Sequence, residues 1–228
     1  MKILFFGDKS VGNGILEYLK TTDDVIGIVT NKHDEETTWF PKVKGYWTTG
    51  KELPKFKSFD WIVCAYYDEI LPDEIINSAK IGAINIHLGL VQDYRGCYPT
   101  TFPIIDGKKE AGVTIHKLTS KIDGGDVYIQ AKVSVDDFDT GKSLYFKCTG
   151  AAVAIFKEYW EDIKTGFPFA RKVKFSKKYN NRASFPSHEI KLNWSKDKID
   201  RHVRALTFPP FQRPYFIING KKFEIHYV

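Results

Sequence analysis

Three polar side chains within residues 82–126, Asn85, His87 and Asp123, are of the types that together move a proton and hold developing negative charge. Asn85-Ile86-His87 closes an apolar run from Ile81 to Ile86 that reads as a buried strand, and alternation along it points the Asn and His side chains the same way. A neutral imidazole at a strand end takes or gives a proton near pH 7. A fixed amide beside it can donate to an oxygen on which charge develops. After a second apolar strand, Gly112 to Leu118, comes Lys121-Ile122-Asp123-Gly124-Gly125-Asp126. A carboxylate returned to the same strand ends would orient the imidazole and stabilise its protonated form. Taken singly, each piece is ordinary: a lone strand-end His is most often structural, and Asp-Gly-Gly is a turn sequence. Order and spacing together give them weight.

The elements that would position this trio read as a parallel α/β sheet. Lys2 to Phe6 is an apolar strand, Gly7 to Gly14 a glycine-containing turn, and Ile15, Leu16 and Leu19 the stripe of a helix, followed by a strand from Val25 to Thr30. The turn is not G-x-G-x-x-G, which argues against a dinucleotide; Lys9 and Ser10 at a helix start could still hold an anion, with a plain connecting turn as the other reading. Residues 31–58 carry Trp39, Phe40, Tyr46 and Trp47 among charges without a clear period, so they either cover the sheet edge or grip a planar ring. Phe59 to Ala65 is a buried strand, Tyr66 to Pro72 a loop and Asp73 to Lys80 a short helix, which places loops at the carboxyl ends where open sheets take ligands.

Asp93 to Pro99 should form a loop at the mouth of the site and Thr100 to Asp106 a short helix, with His116 holding the loop together rather than transferring protons. A strand from Val127 to Val133 precedes an amphipathic helix, Thr140 to Lys164, capped by Asp139 or Thr140, with Leu144, Cys148, Ala151, Ile155 and Tyr159 on one face. Arg171, Lys172, Lys174, Lys177, Lys178 and Arg182 follow without an intervening acid, as a solvated loop or a phosphate contact. Ser195 caps a helix with Ile199, Val203 and Leu206 on one face, and Asn219-Gly220 joins strands Tyr215 to Ile218 and Lys222 to His226. The expected architecture is α/β: a Rossmann-like, mostly parallel sheet with flanking helices as a catalytic core over 1–165, and a basic linker, small C-terminal helix and β-hairpin over 166–228.

Composition agrees. At 228 residues, 43% hydrophobic and 15% aromatic, the chain can bury a full core. No apolar run approaches a membrane span, and Met1 to Phe6 is too short for a signal-peptide core, so a cytoplasmic protein without a membrane partner is expected. Cys64, Cys97 and Cys148 lack C-x-x-C spacing, so neither a disulfide framework nor a metal site is expected. The net charge of +6 suits solubility, an anionic ligand such as a diphosphate, or weak nonspecific nucleic-acid binding.

Ile84-Asn85-Ile86-His87, Tyr94-Arg95-Gly96 with Pro99, Gly112-Val113-Thr114-Ile115-His116 and Ile122-Asp123-Gly124-Gly125-Asp126, in this order, closely resemble the formyltransferases that use N10-formyltetrahydrofolate. That family includes methionyl-tRNA formyltransferase, glycinamide ribonucleotide transformylase and the nucleotide-sugar N-formyltransferases. The resemblance runs from Met1 to about Ile129 and resumes near the C-terminus, where Trp194-Ser195, Arg204-Ala205 and Pro209-Pro210 before a terminal hairpin resemble the nucleotide-sugar branch. No room remains for the further nucleic-acid-binding domain of methionyl-tRNA formyltransferase.

The resemblance implies direct transfer of a formyl group to the amine of a nucleotide-linked sugar, with Asn85, His87 and Asp123 catalytic and no covalent enzyme intermediate. It places the folate against Tyr67, Glu69, Ile70 and Leu71 on one wall and Leu118 and Thr119 on the other. The acceptor would meet Lys9, Tyr94 and Arg204. The acceptor it favours is dTDP-4-amino-4,6-dideoxy-D-glucose, used for surface polysaccharide such as O-antigen, with 3-amino and UDP-linked sugars as competitors; relatives suggest a homodimer and no specific nucleic-acid partner. A purine enzyme of the glycinamide ribonucleotide kind is the alternative within the family, and a basic nucleic-acid-binding module the alternative outside it. One departure bears on the acceptor side: the family has a small polar residue and a proline after the His, whereas here Leu88-Gly89-Leu90-Val91-Gln92 follows.

Overall fold

The computed structural model describes residues 1–31, 46–47, 58–166, 170–175 and 179–227. Trp39, Phe40, Lys177 and Lys178, singled out above, lie outside the described residues. Within them, seven strands form one sheet in the order β3-β2-β1-β4-β5-β6-β7. Strands β1 (Lys2–Gly7), β2 (Asp24–Thr30), β3 (Tyr46–Trp47), β4 (Trp61–Ala65) and β5 (Gly82–His87) run parallel, β6 (Glu110–Lys117) runs antiparallel to both its neighbours, and β7 (Val127–Ser134) points the same way as β1 to β5. The central strands are apolar throughout because both faces of the sheet are covered. Alternation divides them: Ile3, Phe5, Trp61 and Val63 face one core, and Leu4, Phe6, Ile62 and Cys64 face another.

Helices α1 (Lys9–Thr22) and α4 (Gly141–Lys164) cover the first face. The Thr140 hydroxyl caps α4 by accepting from Ser143 N at 3.1 Å, and Leu144, Cys148, Ile155, Phe156 and Trp160 form its buried stripe. Ala151 and Tyr159, expected on that face, are only partly buried at its margin. One sequence expectation is corrected on the same face: no long glycine turn follows β1, because α1 begins at Lys9 and contains Gly12 and Gly14. Those glycines serve packing. A Cβ on Gly12 would lie 3.0 Å from the Ala65 carbonyl, and one on Gly14 would lie 2.8 Å from Val153 of α4.

Two short helices, α2 (Asp73–Ile76) and α3 (Phe102–Ile105), flank β5 in sequence. Helix α5 (Lys196–Leu206), capped by Ser195 through Lys198 N at 3.3 Å, packs Ile199, Val203 and Leu206 against Ile190 and Trp194. Strands β8 (Tyr215–Ile218) and β9 (Lys221–Glu224) pair through Asn219 and Gly220, whose φ values of 49° and 75° are those of the expected hairpin turn. Between α4 and α5 the chain returns to the start of β7 and to the loop after β5. Arg171 pairs with Val127, and Asn180 pairs with Gly96. No helix among the described residues is long and apolar enough to cross a membrane.

Candidate active site

β5 ends at His87, and its pleat does aim Asn85 and His87 together. Asp123 enters from the loop after β6 with a left-handed backbone, φ 42°, which turns its carboxylate back toward β5. Asn85 Nδ2 donates to Asp123 Oδ1 at 3.1 Å, the Gly96 N–H donates to Oδ2 at 2.7 Å, and His87 Nδ1 lies 3.4 Å from the same Oδ2. The three side chains chosen from sequence therefore converge. Burial by itself would raise the Asp123 carboxyl, but the His87 and His116 rings and the Gly96 N–H outweigh it and hold the group well below the usual carboxylate range.

Each partner is fixed in turn. His87 Nε2 lies 2.7 Å from the Tyr94 carbonyl, so the ring is held at both nitrogens, by that carbonyl and by Asp123. Arg95 donates from Nε, at 2.9 Å, and from Nη2 to the Ile122 carbonyl, which pins the peptide just before Asp123. Gly96 has φ 80°, and a Cβ there would lie 2.1 Å from the Asn180 carbonyl oxygen, so only glycine brings this N–H to the carboxylate.

His116 was expected to be a loop anchor, and the structure places it inside the cluster. It lies opposite Asn85 across β5 and β6, with Nε2 3.1 Å from Asn85 Nδ2 and 3.4 Å from Asp123 Oδ1. Its Nδ1 donates to the Lys117 carbonyl at 2.8 Å, which fixes the ring beside Asn85. Asn85 Nδ2 thus faces Asp123 and His116 together.

Other expected contacts divide. Leu71, Tyr67 and Leu118 share the core on the β1 Leu4 and Phe6 side, and Ser120 bonds Asp73 at 3.2 Å, so the two proposed folate walls adjoin. Ile70 and Glu69 are exposed on the same loop, and Thr119 donates to the Lys121 carbonyl at 3.1 Å. Asn31 steadies the loop by donating to the Tyr66 carbonyl and accepting from the Asp68 N–H at 2.8 Å. Lys9, at the start of α1, and Arg182, 3.7 Å from Asp68, flank that carboxylate; burial pushes it up while both cations oppose the shift.

Two expectations are corrected. The Tyr94 side chain is buried and donates to Asp106 at 2.8 Å, turned away from the triad; burial and that carboxylate push its hydroxyl well above the usual phenol range. Only its backbone carbonyl serves the site. Arg204 is buried on α5, where it bonds Asp200 at 2.8 Å and the Asp139 carbonyl at 3.0 Å, and it lines a cavity of about 260 Å³ to which no triad residue contributes. It ties α5 to the start of α4. Leu88, Leu90 and Val91, the departure noted after His87, are buried, so they complete the core under the loop. Among the described residues, no cluster of His, Cys, Asp and Glu is placed to hold a metal ion.

Comparison with known proteins identifies the family. GDP-perosamine N-formyltransferase of Brucella melitensis is 30% identical over 166 residues, covering 73% of this chain and 64% of that protein, so the chain matches just under two thirds of that relative's length. Methionyl-tRNA formyltransferase of Listeria innocua is 29% identical over an alignment of 250 positions, covering 98% of this chain and 78% of that protein. A sugar 3N-formyl transferase, solved in the presence of dTDP and 5-N-formyl-THF, superposes with a TM-score of 0.80 at 22% identity, covering 97% of this chain and 84% of that one, a likeness of fold. The formyl transferase family model matches residues 16–158, which hold Asn85, His87, His116 and Asp123, and the chain belongs to that family.

Proposed function

We propose that this chain transfers a formyl group from N10-formyltetrahydrofolate to the amino group of a nucleotide-linked amino sugar. The observation that carries the proposal is the buried Asp123 carboxylate, gripped by Asn85, Gly96 and His87 at the end of β5. The co-substrate supplies an acyl carbon already bonded to a nitrogen leaving group. The acceptor nitrogen attacks that carbon, the bond to N10 breaks, and the proton lost by the amine is returned to N10.

The protein's groups match that sequence. Asn85 Oδ1 accepts a hydrogen of the attacking amine and aligns its lone pair. His87 Nε2 exchanges the Tyr94 carbonyl for the substrate and relays the amine proton, and Asp123 stabilises the charged ring meanwhile. The exposed Ile70 and Glu69, with Leu118 behind them, fit a planar heterocycle that is apolar on its faces and polar at its edges. None of the three cysteines is needed: Cys64 and Cys148 are buried, with thiols pushed up to about 12 by desolvation.

The finer proposal names dTDP-4-amino-4,6-dideoxy-D-glucose as acceptor, surface polysaccharide as destination, a cytoplasmic location and a homodimer. Support for a dimer comes from the β8–β9 hairpin, whose Ile217, Ile218 and Phe223 are exposed. The test is product formation from N10-formyltetrahydrofolate with dTDP-, UDP- and GDP-linked 3- and 4-amino sugars beside glycinamide ribonucleotide. Formylation of the dTDP-4-amino sugar is expected. Turnover of glycinamide ribonucleotide alone would overturn the assignment.

A further inference from the structure

Tyr66 departs from the pleat of its strand. Cys64 faces the core that holds Leu71, Ala65 faces the core under α1 and α4, and a regular continuation would return residue 66 to the Cys64 side. Its φ of 61° is left-handed, a strained backbone for an aromatic residue. The turn sends its ring to α4 instead, 6.4 Å from and edge-on to Tyr145. Tyr67 then takes the opposite face, 5.3 Å from Phe6, on the side proposed for the folate.

From Tyr145 the rings continue. Phe208, in the exit from α5, lies 5.6 Å from Tyr145, and Phe211 lies 5.5 Å from Phe208. Tyr145 is buried, whereas Tyr66 and Phe211 are 40% and 46% exposed. A row of rings anchored in the core and open to water begins beside the strand end that carries the triad. At its inner end Arg182 lies 3.7 Å from Asp68, and Lys9 follows Asp8, whose N–H donates to the Ala65 carbonyl at 3.1 Å, which places two cations by the loop from which Tyr66 departs. Partly exposed rings beside cations suit a ligand with an aromatic base at one end and an anionic bridge in the middle.

We propose that the nucleobase of the acceptor seats on the row formed by Tyr66, Phe208 and Phe211, with its diphosphate toward Lys9 and Arg182 and its sugar amine toward His87. This rests on the proposed function and deepens it, since the family match does not name these residues. It also separates the two substrates by sheet face: folate on the Tyr67 and Leu71 side, nucleotide on the Tyr145 side, and the reacting atoms between them at the strand end. Tyr66 and Tyr67 are adjacent in sequence and would serve different ligands.

The experiment is calorimetric titration of the full chain and of Phe211→Ala and Phe211→Trp with dTDP, UDP and GDP, and separately with 5-formyltetrahydrofolate. Loss of base stacking predicts that Phe211→Ala weakens whichever nucleoside diphosphate the parent binds by roughly 5- to 100-fold and raises the KM of the amino sugar in step, with kcat little changed. Phe211→Trp should bind close to the parent, and folate affinity should be the same in all three. Parent-like nucleotide binding by Phe211→Ala overturns the base seat while the proposed activity stands; a parent that binds none of the three nucleotides overturns both. If Phe211→Ala also loses folate, Phe211→Trp decides: retained nucleotide and folate binding supports the seat, and loss of nucleotide alone overturns it.

Discussion

Replacing Asp123 with Asn preserves the outline of the side chain and removes its charge, which isolates what the carboxylate does for His87. With Nδ1 3.4 Å from Oδ2, the attraction between a charged ring and the carboxylate is about 5 kcal/mol at an effective dielectric near 20. That is the ceiling, equivalent to roughly 5,000-fold in rate. The floor is the loss of one hydrogen bond that strengthens in the transition state, roughly 100-fold. Because the ring gains its charge as it takes the amine proton, the loss should fall on kcat, with KM for both substrates nearly unchanged. Stability should fall as well: the new amide must turn its NH2 toward either the Gly96 N–H or the Asn85 NH2, and a buried donor facing a donor costs about 1–3 kcal/mol. Steady-state formylation at saturating substrates measures the first effect and thermal denaturation the second. A variant that folds and turns over within threefold of the parent refutes the role given to Asp123.

Gly96→Ala should lower kcat by at least 10-fold and destabilise the protein, because its Cβ would displace the Asn180 carbonyl and pull the Gly96 N–H from Asp123; kinetics and denaturant unfolding check both parts. Asp23 tests stability without chemistry: the terminal ammonium of Met1, the Trp160 indole N–H and Lys164 all bond its buried carboxylate. Asp23→Ala should cost about 3–5 kcal/mol in a melt while kcat of the folded fraction holds, and unchanged melting would refute the cluster's contribution. Asp23, Asp123 and Asp139 all have carboxyls held below their ordinary value, Asp23 and Asp139 by hydrogen bonds and cations that outweigh desolvation. Their contribution is complete above the unfolded pKa of about 3.9 and is lost as pH falls from there toward the folded values, so stability measured from pH 6 to 2 should drop on the acid side. A flat acid limb would contradict the three assignments.

The trio was legible because its chemistry sits in short motifs: one strand end gives Asn85 and His87, and the turn residues around Asp123 announce a loop. The place of His116 beside Asn85 was not legible because it depends on register. Only the antiparallel pairing of β5 with β6 sets it opposite Asn85, and one sequence does not state which residues of two strands face each other. The glycines after β1 looked like a turn because composition does not distinguish a glycine needed for φ from one needed for close packing, and Gly12 is the second kind. Tyr94 and Arg204 were chosen for type and position. Tyr94 bonds Asp106 and Arg204 bonds the Asp139 carbonyl, partners supplied by elements whose placement no local pattern shows.

The return of the chain after α4 bears on how the molecule comes into being. Cys97 donates its N–H to the Asn180 carbonyl at 2.7 Å, and Asn180 N donates to the Arg95 carbonyl at 2.9 Å, so the peptide that presents Gly96 to Asp123 is held by residues far downstream. On a ribosome, β1 through α4 emerge first and can collapse into a sheet with its helices. The catalytic loop would then await a segment still inside the exit tunnel, and competence would arrive only when the nascent polypeptide has grown past that point.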